Sequence, residues 1–199
     1  MNHLTIYRRL LPLVTFHNLD DCEPLASVLI NAGTPQIEIA FRSEYAADAI
    51  RIISKMDGIK VGAGTVLTNH QAEEAISAGA SFLISPGFSE DVAKTAIRKN
   101  VEYFPGVVTP SEVMRASDYG YQTLKFFPSE SYGGLKTIKS LHGPFPNITF
   151  IPTGGINKEN YKPYLEESYI AAVGGSFITP SEFIDSKNWE GLESYIRSL

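Results

Sequence analysis

The sequence predicts an α/β fold, and within that class a single-domain (β/α)8 TIM barrel spanning residues 1–199. Three observations carry this reading. From Leu10 to Ile196 short apolar runs alternate with helical patterns, repeating about every 20 to 25 residues, close to the length of one βα unit. Strand after strand places a polar residue among aliphatic ones, Glu38 between Ile37 and Ile39 and Lys125 between Leu124 and Phe126. A barrel lumen receives such side chains, whereas an open sheet covered by helices on both faces does not. Finally, no GxGxxG follows the first strand, where an open dinucleotide-binding sheet would carry it. A length of 199 residues suits one well-buried core.

Eight strands are expected, at Leu11–Phe16, Gln36–Ala40, Lys60–Gly64, Ser81–Ser85, Glu102–Gly106, Gln122–Phe127, Thr149–Pro152 and Ile170–Gly174. The helices between them carry start signals. Thr109-Pro110-Ser111-Glu112 joins a capping box to a proline at the first helical position. Ser89-Glu90-Asp91 and Asn157-Lys158-Glu159 each set a cap and an acid at a helix N-terminus, where the positive end of the helix dipole favours negative charge. Ala46, Ala49, Ile50 and Ile53 fall on one helical stripe, as do Val92, Ala93, Ala96 and Ile97, and such stripes pack a helix onto a sheet. Gly33, Gly79 and Gly120 stand where helices stop and are read as left-handed caps.

Composition narrows the function. Acidic residues outnumber basic ones 22 to 17, for a net charge of −5, and no basic run is present to follow a phosphate backbone, so nucleic acid is not expected as a partner. No segment reaches the roughly 18 apolar residues of a membrane span, and the stretch from Met1 to Leu11 lacks the apolar centre of a signal peptide; a cytoplasmic protein is expected. The single cysteine, Cys22, lies among Asp20, Asp21 and Glu23, which disfavour its thiolate. The histidines His3, His17, His70 and His142 show no metal-ligand spacing, and no cofactor or metal is expected.

The chemistry-bearing residues gather at the predicted C-terminal ends of the strands, where barrels place their active sites. Lys125 is the most informative, because an ammonium in an apolar run costs several kcal/mol unless it is paired or loses its proton. A lysine held neutral is a nucleophile for ketones, and the iminium it forms draws electrons from a neighbouring carbon–carbon bond. Glu38 is the best placed acid and base, although Glu38 with Arg42 also reads as a structural ion pair. Arg42 and Thr65 offer a guanidinium fork and a hydroxyl for a carboxylate. Pro86, after strand four, and Phe127, on the face of Lys125, line the same end. Thr153-Gly154-Gly155 and Gly174-Gly175-Ser176 offer bare backbone N–H groups of the kind that hold phosphate, or else are simple turns.

Taken together, Ile37-Glu38-Ile39-Ala40-Phe41-Arg42, Gly62-Ala63-Gly64-Thr65-Val66, Ile84-Ser85-Pro86-Gly87, Phe104-Pro105-Gly106-Val107, Lys125-Phe126-Phe127-Pro128, Gly143-Pro144-Phe145-Pro146, Pro152-Thr153-Gly154-Gly155-Ile156 and Gly174-Gly175-Ser176 resemble the 2-keto-3-deoxy-6-phosphogluconate (KDPG) aldolase family, which includes 4-hydroxy-2-oxoglutarate aldolases. The resemblance implies a metal-free class I aldolase of the Entner–Doudoroff pathway on a (β/α)8 barrel, commonly a homotrimer, releasing pyruvate from a 2-keto acid. By position it makes Lys125 the Schiff-base lysine, Glu38 the general acid and base, Arg42 and Thr65 the binders of the pyruvyl carboxylate, and Thr153, Gly154, Gly155, Gly175 and Ser176 the holders of the distal hydroxyls and phosphate. Thr153 leans toward the gluconate over the galactonate form. Strand one departs from the pattern, with Thr15 and His17 where some relatives carry arginine. A phosphate-binding isomerase or synthase with Glu38 as base, and a non-catalytic sugar-phosphate binder, are the rival readings.

Overall fold

The computed structural model describes residues 6–199; His3 lies outside them. Among the described residues the strands are β1 (Leu10–Val14), β2 (Gln36–Ala40), β3 (Lys60–Gly64), β4 (Phe82–Ile84), β5 (Glu102–Phe104), β6 (Gly106–Val107), β7 (Thr123–Phe126), β8 (Thr149–Pro152) and β9 (Val173–Gly175). The helices are α1 (Cys22–Asn31), α2 (Ala46–Ile53), α3 (Asn69–Ala78), α4 (Glu90–Lys99), α5 (Pro110–Asp118), α6 (Gly134–His142), α7 (Lys162–Leu165), α8 (Ser181–Asp185) and α9 (Trp189–Ser198). Every strand pairing is parallel, and none of these helices is long and apolar enough to cross a membrane.

The expected closed (β/α)8 barrel is not what forms. The ladder divides into a curled six-stranded sheet, in the order β5-β4-β3-β2-β1-β9, and a separate three-stranded sheet, β6-β7-β8. Pro105 is one cause. It has no N–H to donate, so the predicted fifth strand breaks there into β5, which pairs with β4, and β6, which pairs with β7. On the far side β9 is only three residues long and pairs with β1, and the joins to β8 are the isolated bridges Phe150↔Ile170 and Thr153↔Gly174.

Strand alternation still sets two faces. Ile37, Ile39, Val61, Ala63, Leu83, Leu124 and Phe126 pack with the helices into the main core. Their neighbours face the other way. Leu11, Phe82, Ile84, Phe104, Ile151 and Ala172 form a second cluster that draws on strands of both sheets and on no helix. Glu38 and Lys125 share this inner side, since Lys125 is in register with Ile151, and Glu38 with Gly62, itself opposite Phe82.

The local signals are largely obeyed. Thr109 and Glu112 make the reciprocal capping box of α5, and the Ser89 hydroxyl accepts from the Val92 N–H. Gly33, Gly79 and Gly120 all hold positive φ. The Asn157 side chain accepts from the Glu159 and Asn160 N–H groups as a cap would, but no helix follows until Lys162, so it closes a turn. On α4 the buried stripe is Val92, Ala93, Thr95 and Ala96, and Ile97 is exposed; Thr95 is drawn inward by a hydrogen bond from its hydroxyl to the Asn69 side chain.

Cys22 is fully buried at the start of α1, and burial, followed by the carboxylates of Asp21, Glu23 and Asp20, pushes its thiol up to about 12. A thiol–disulfide reagent at pH 8 should therefore react roughly 10³-fold more slowly with the native protein than with the urea-unfolded chain. Comparable rates would show that the N-terminal end of α1 opens.

Candidate active site

The centre of the molecule is an ion pair between the two sheets. Lys125 Nζ on β7 donates to Glu38 Oε1 on β2 at 3.1 Å, with the lysine side chain 6% exposed and the glutamate side chain 0% exposed. Backbone pairing aims the lysine. Its N–H donates to the Pro105 carbonyl at 2.9 Å, and it lies between Gly106 on β6 and Ile151 on β8. The ammonium also stands 5.4 Å from the centre of the Phe127 ring, within range of a cation–π attraction. Glu38 Oε2 is buried without a hydrogen-bond partner among the described residues.

Glycines make room for these side chains. On β3 the two inward positions are Gly62 and Gly64. A Cβ on Gly62 would fall 2.1 Å from the Phe82 ring, and one on Gly64 would fall 2.1 Å from Glu38 Oε1. Beyond Gly64, Thr65 holds a left-handed φ of +57°, a strained choice for a β-branched residue that turns the chain sharply at the strand end. The following residues are tied down by the buried Ser85, whose hydroxyl donates to the Val66 carbonyl at 2.5 Å. Pro86 reaches the same end, its carbonyl so close to Gly106 that a Cβ there would lie 2.1 Å away.

Across the mouth, Thr153 is buried with its hydroxyl unpartnered, and a Cβ on Gly174 would meet that oxygen at 2.5 Å. Gly154 (φ +97°) packs against Phe127, and Gly155 (φ +77°) against Glu130, whose carboxylate accepts from the Tyr164 hydroxyl. Burial, then Glu130, pushes that phenol up to about 12. Gly175 is buried and extended at φ 170°, and Ser176 is exposed at the start of a 3-10 turn.

Arg42 is exposed and stands on a ridge between two clefts. The larger, of about 740 Å³, is lined by Arg42, Thr15, His17, Ile156 and Ser176 together with Asp21 and Lys187, which form an ion pair. Lys125 and Glu38 do not line it. The structure thus pairs Lys125 with Glu38, sets the Lys125 ammonium over the Phe127 ring, seats Gly154 against Phe127, and places Arg42 and Ser176 in the lining of one cleft. It does not join Arg42 to Glu38, whose ion-pair partner is Lys125. Gly64 and Ser85 were not among the expected site residues; the Gly-x-Gly spacing of β3 was the available signal.

A curled parallel sheet that encloses a lysine–carboxylate pair beneath glycine-rich strand ends fits a class I aldolase, a carbon–carbon lyase. The family model for KDPG and KHG aldolase matches residues 2–195, and the chain belongs to that family. It is 39% identical over 188 residues to the 2-dehydro-3-deoxy-phosphogluconate aldolase of Dickeya dadantii, covering 94% of this chain and 88% of that one. To the KHG/KDPG aldolase of Escherichia coli K12 it is 38% identical over 187 residues, with the same coverage. Among solved structures it resembles the KDPG aldolase of Legionella pneumophila, in which pyruvate was captured as a covalent carbinolamine, with a TM-score of 0.92, 36% identity, and coverage of 96% and 93%.

Removing one member of the buried pair strands the other. Lys125→Met should destabilise the protein by about 3–5 kcal/mol, and Lys125→Met with Glu38→Gln should recover much of that loss, because no buried charge is left alone. Urea unfolding of the two variants and the parent checks this; equal stability of the single and double variants would refute it.

Proposed function

We propose that this protein cleaves 2-keto-3-deoxy-6-phosphogluconate to pyruvate and glyceraldehyde 3-phosphate, and 4-hydroxy-2-oxoglutarate to pyruvate and glyoxylate. The observation that carries the reading is the 3.1 Å contact between Lys125 Nζ and Glu38 Oε1 in an enclosed interior. It joins the two groups this chemistry needs, a lysine amine and a carboxylate that can accept its proton.

In this reading Glu38 takes a proton from Lys125, and the freed amine attacks the C2 ketone of the substrate. Glu38 passes that proton to the carbinolamine hydroxyl, which leaves as water and gives an iminium. Glu38, emptied of its proton, then removes the C4 hydroxyl proton. The C3–C4 bond breaks, its electrons pass to the iminium nitrogen, and the aldehyde leaves from an enamine. Return of a proton to C3 and hydrolysis release pyruvate and restore the lysine. Arg42 and Thr65 hold the substrate carboxylate, Pro86 and Phe127 line the pyruvyl pocket, and Thr153, Gly154, Gly155, Gly175 and Ser176 hold the distal hydroxyls and phosphate. The left-handed glycines support this last role, since successive N–H groups in such a turn form a concavity suited to anions. We further propose that residues 1–199 act as one domain, in a cytoplasmic homotrimer. Thr153 favours the gluconate over the galactonate epimer.

Borohydride added with pyruvate should leave a stable mass increase on Lys125, mapped by peptide mass spectrometry, and EDTA should leave cleavage intact. Absence of the adduct, or its survival in Lys125→Ala, would sink the imine mechanism. Lys125→Arg separates it from an isomerase in which the lysine serves only as a cation, because arginine keeps the charge and cannot form the imine. Glu38→Gln should lower kcat by roughly 10²–10⁴-fold, the usual contribution of a positioned acid–base group, as read by coupled detection of pyruvate.

A further inference from the structure

Past the exposed Lys60 at its start, the inner face of β3 carries no side chains. Gly62 and Gly64 occupy its two inward positions, and its neighbours reach into the space from opposite sides, Phe82 from β4 over Gly62 and Glu38 from β2 over Gly64. Glu38 is in register with Gly62, so its side chain leans one pleat toward the C-terminal end of the sheet to lie against Gly64. A Cβ at position 64 would come within 2.1 Å of Oε1, 2.5 Å of Cγ and 2.6 Å of Cδ, and no carboxylate keeps its place against three such contacts. The backbone does not ask for glycine here. Gly64 ends a regular strand in register with Ala40 and lies outside the left-handed region, so alanine would fit its dihedral angles. The glycine is required by the side chain of another strand.

We propose that Gly64 is a positioning residue for the reaction: by presenting a hydrogen where every other residue presents a carbon, it sets Glu38 Oε1 within reach of Lys125 and keeps Oε2 free for substrate. This rests on the aldolase reading of the Lys125–Glu38 pair and adds to it a residue that touches neither substrate nor lysine. Three constraints meet on that carboxylate. The Lys125 ammonium draws Oε1 from β7, Gly64 gives it a floor on β3, and burial excludes the water that would let it adopt other rotamers. Alanine at position 64 fills the space the carboxylate occupies and forces it to turn about its side-chain torsions, away from the amine or away from the reacting carbon.

The consequence is a separation of steps. Given time, the reduced imine accumulates on pyruvate whichever group frees the Lys125 amine, whereas proton transfer at the pyruvate methyl carbon needs the carboxylate in its place throughout. Gly64→Ala should therefore still give the borohydride adduct with pyruvate, while exchange of the pyruvate methyl protons for deuterium, followed by NMR in heavy water, slows by roughly 10²-fold, the scale of a misplaced acid–base group. Failure of the parent enzyme to form the adduct would refute the aldolase reading itself, whereas an adduct in both proteins with unchanged exchange in Gly64→Ala would refute only the role of Gly64. Equal losses in trapping and exchange would also overturn it, since a general structural defect does not discriminate between the steps. If Gly64→Ala does not accumulate in folded form, Glu38→Ala combined with Gly64→Ala should melt with Glu38→Ala alone. A double variant as unstable as Gly64→Ala would show that the glycine serves the backbone and not the carboxylate.

Discussion

Two parallel sheets face one another across a shared interior, and the polar contact at its centre is the ion pair between Lys125 of the smaller sheet and Glu38 of the larger. Much of the surrounding structure exists to make that contact tolerable. A charge pair withdrawn from water is favourable only in good geometry. Here the geometry is set by strand register on both sides, by the Phe127 ring beneath the ammonium, and by the empty face of β3. The apolar cluster of Leu11, Phe82, Ile84, Phe104, Ile151 and Ala172 helps to exclude water from the same interior. Dry surroundings that would penalise either charge alone strengthen the attraction between the two.

The strand ends add a second layer of constraint. Thr65 in a left-handed turn and the buried, unpartnered hydroxyl of Thr153 are departures from the lowest-energy local choice, and they lie with the turn glycines Gly154 and Gly155 at one end of the sheets. Such departures persist only where neighbours overdetermine them. The neighbours are visible: the Ser85 hydroxyl on the Val66 carbonyl, the Phe127 ring over Gly154, and the Glu130–Tyr164 contact behind Gly155. These contacts keep polar groups facing the mouth with little freedom to relax.

The sequence made the elements legible and left their closure hidden. Gln36–Ala40, Lys60–Gly64 and Thr149–Pro152 have the bounds expected of them, because apolar alternation and flanking glycine or proline are local signals. Pro105 was visible as a residue, but its effect is on the ladder, which depends on which strand lies alongside; the divided sheet follows from that and could not be read from pattern alone. Ile97 fitted the helical stripe of α4, yet the hydrogen bond of Thr95 to a side chain on α3 decided which residue turned inward. At the site, Lys125 and Glu38 stood out as charges in apolar runs. That they pair with each other, and not Glu38 with Arg42, depends on two registers that no single segment contains. The need for glycine at position 64 was equally hidden, since it arises from a side chain on another strand.

The interrupted ladder has a dynamic meaning. Cooperative opening in proteins follows contiguous hydrogen-bonded units, and two ladders joined by only a few bonds can open separately. The six-stranded and three-stranded ladders meet near Pro105 through the Lys125 amide, and near β9 through isolated bridges. Amide protection should thus fall into two classes along the chain, one for β1 to β5 and β9, the other for β6 to β8. The residue at the joint between them is the lysine itself. Its backbone ties the middle strand of the small sheet to Pro105 at the break, and its side chain reaches the large sheet, so a ligand that engages Lys125 acts at the point where two folding units are coupled.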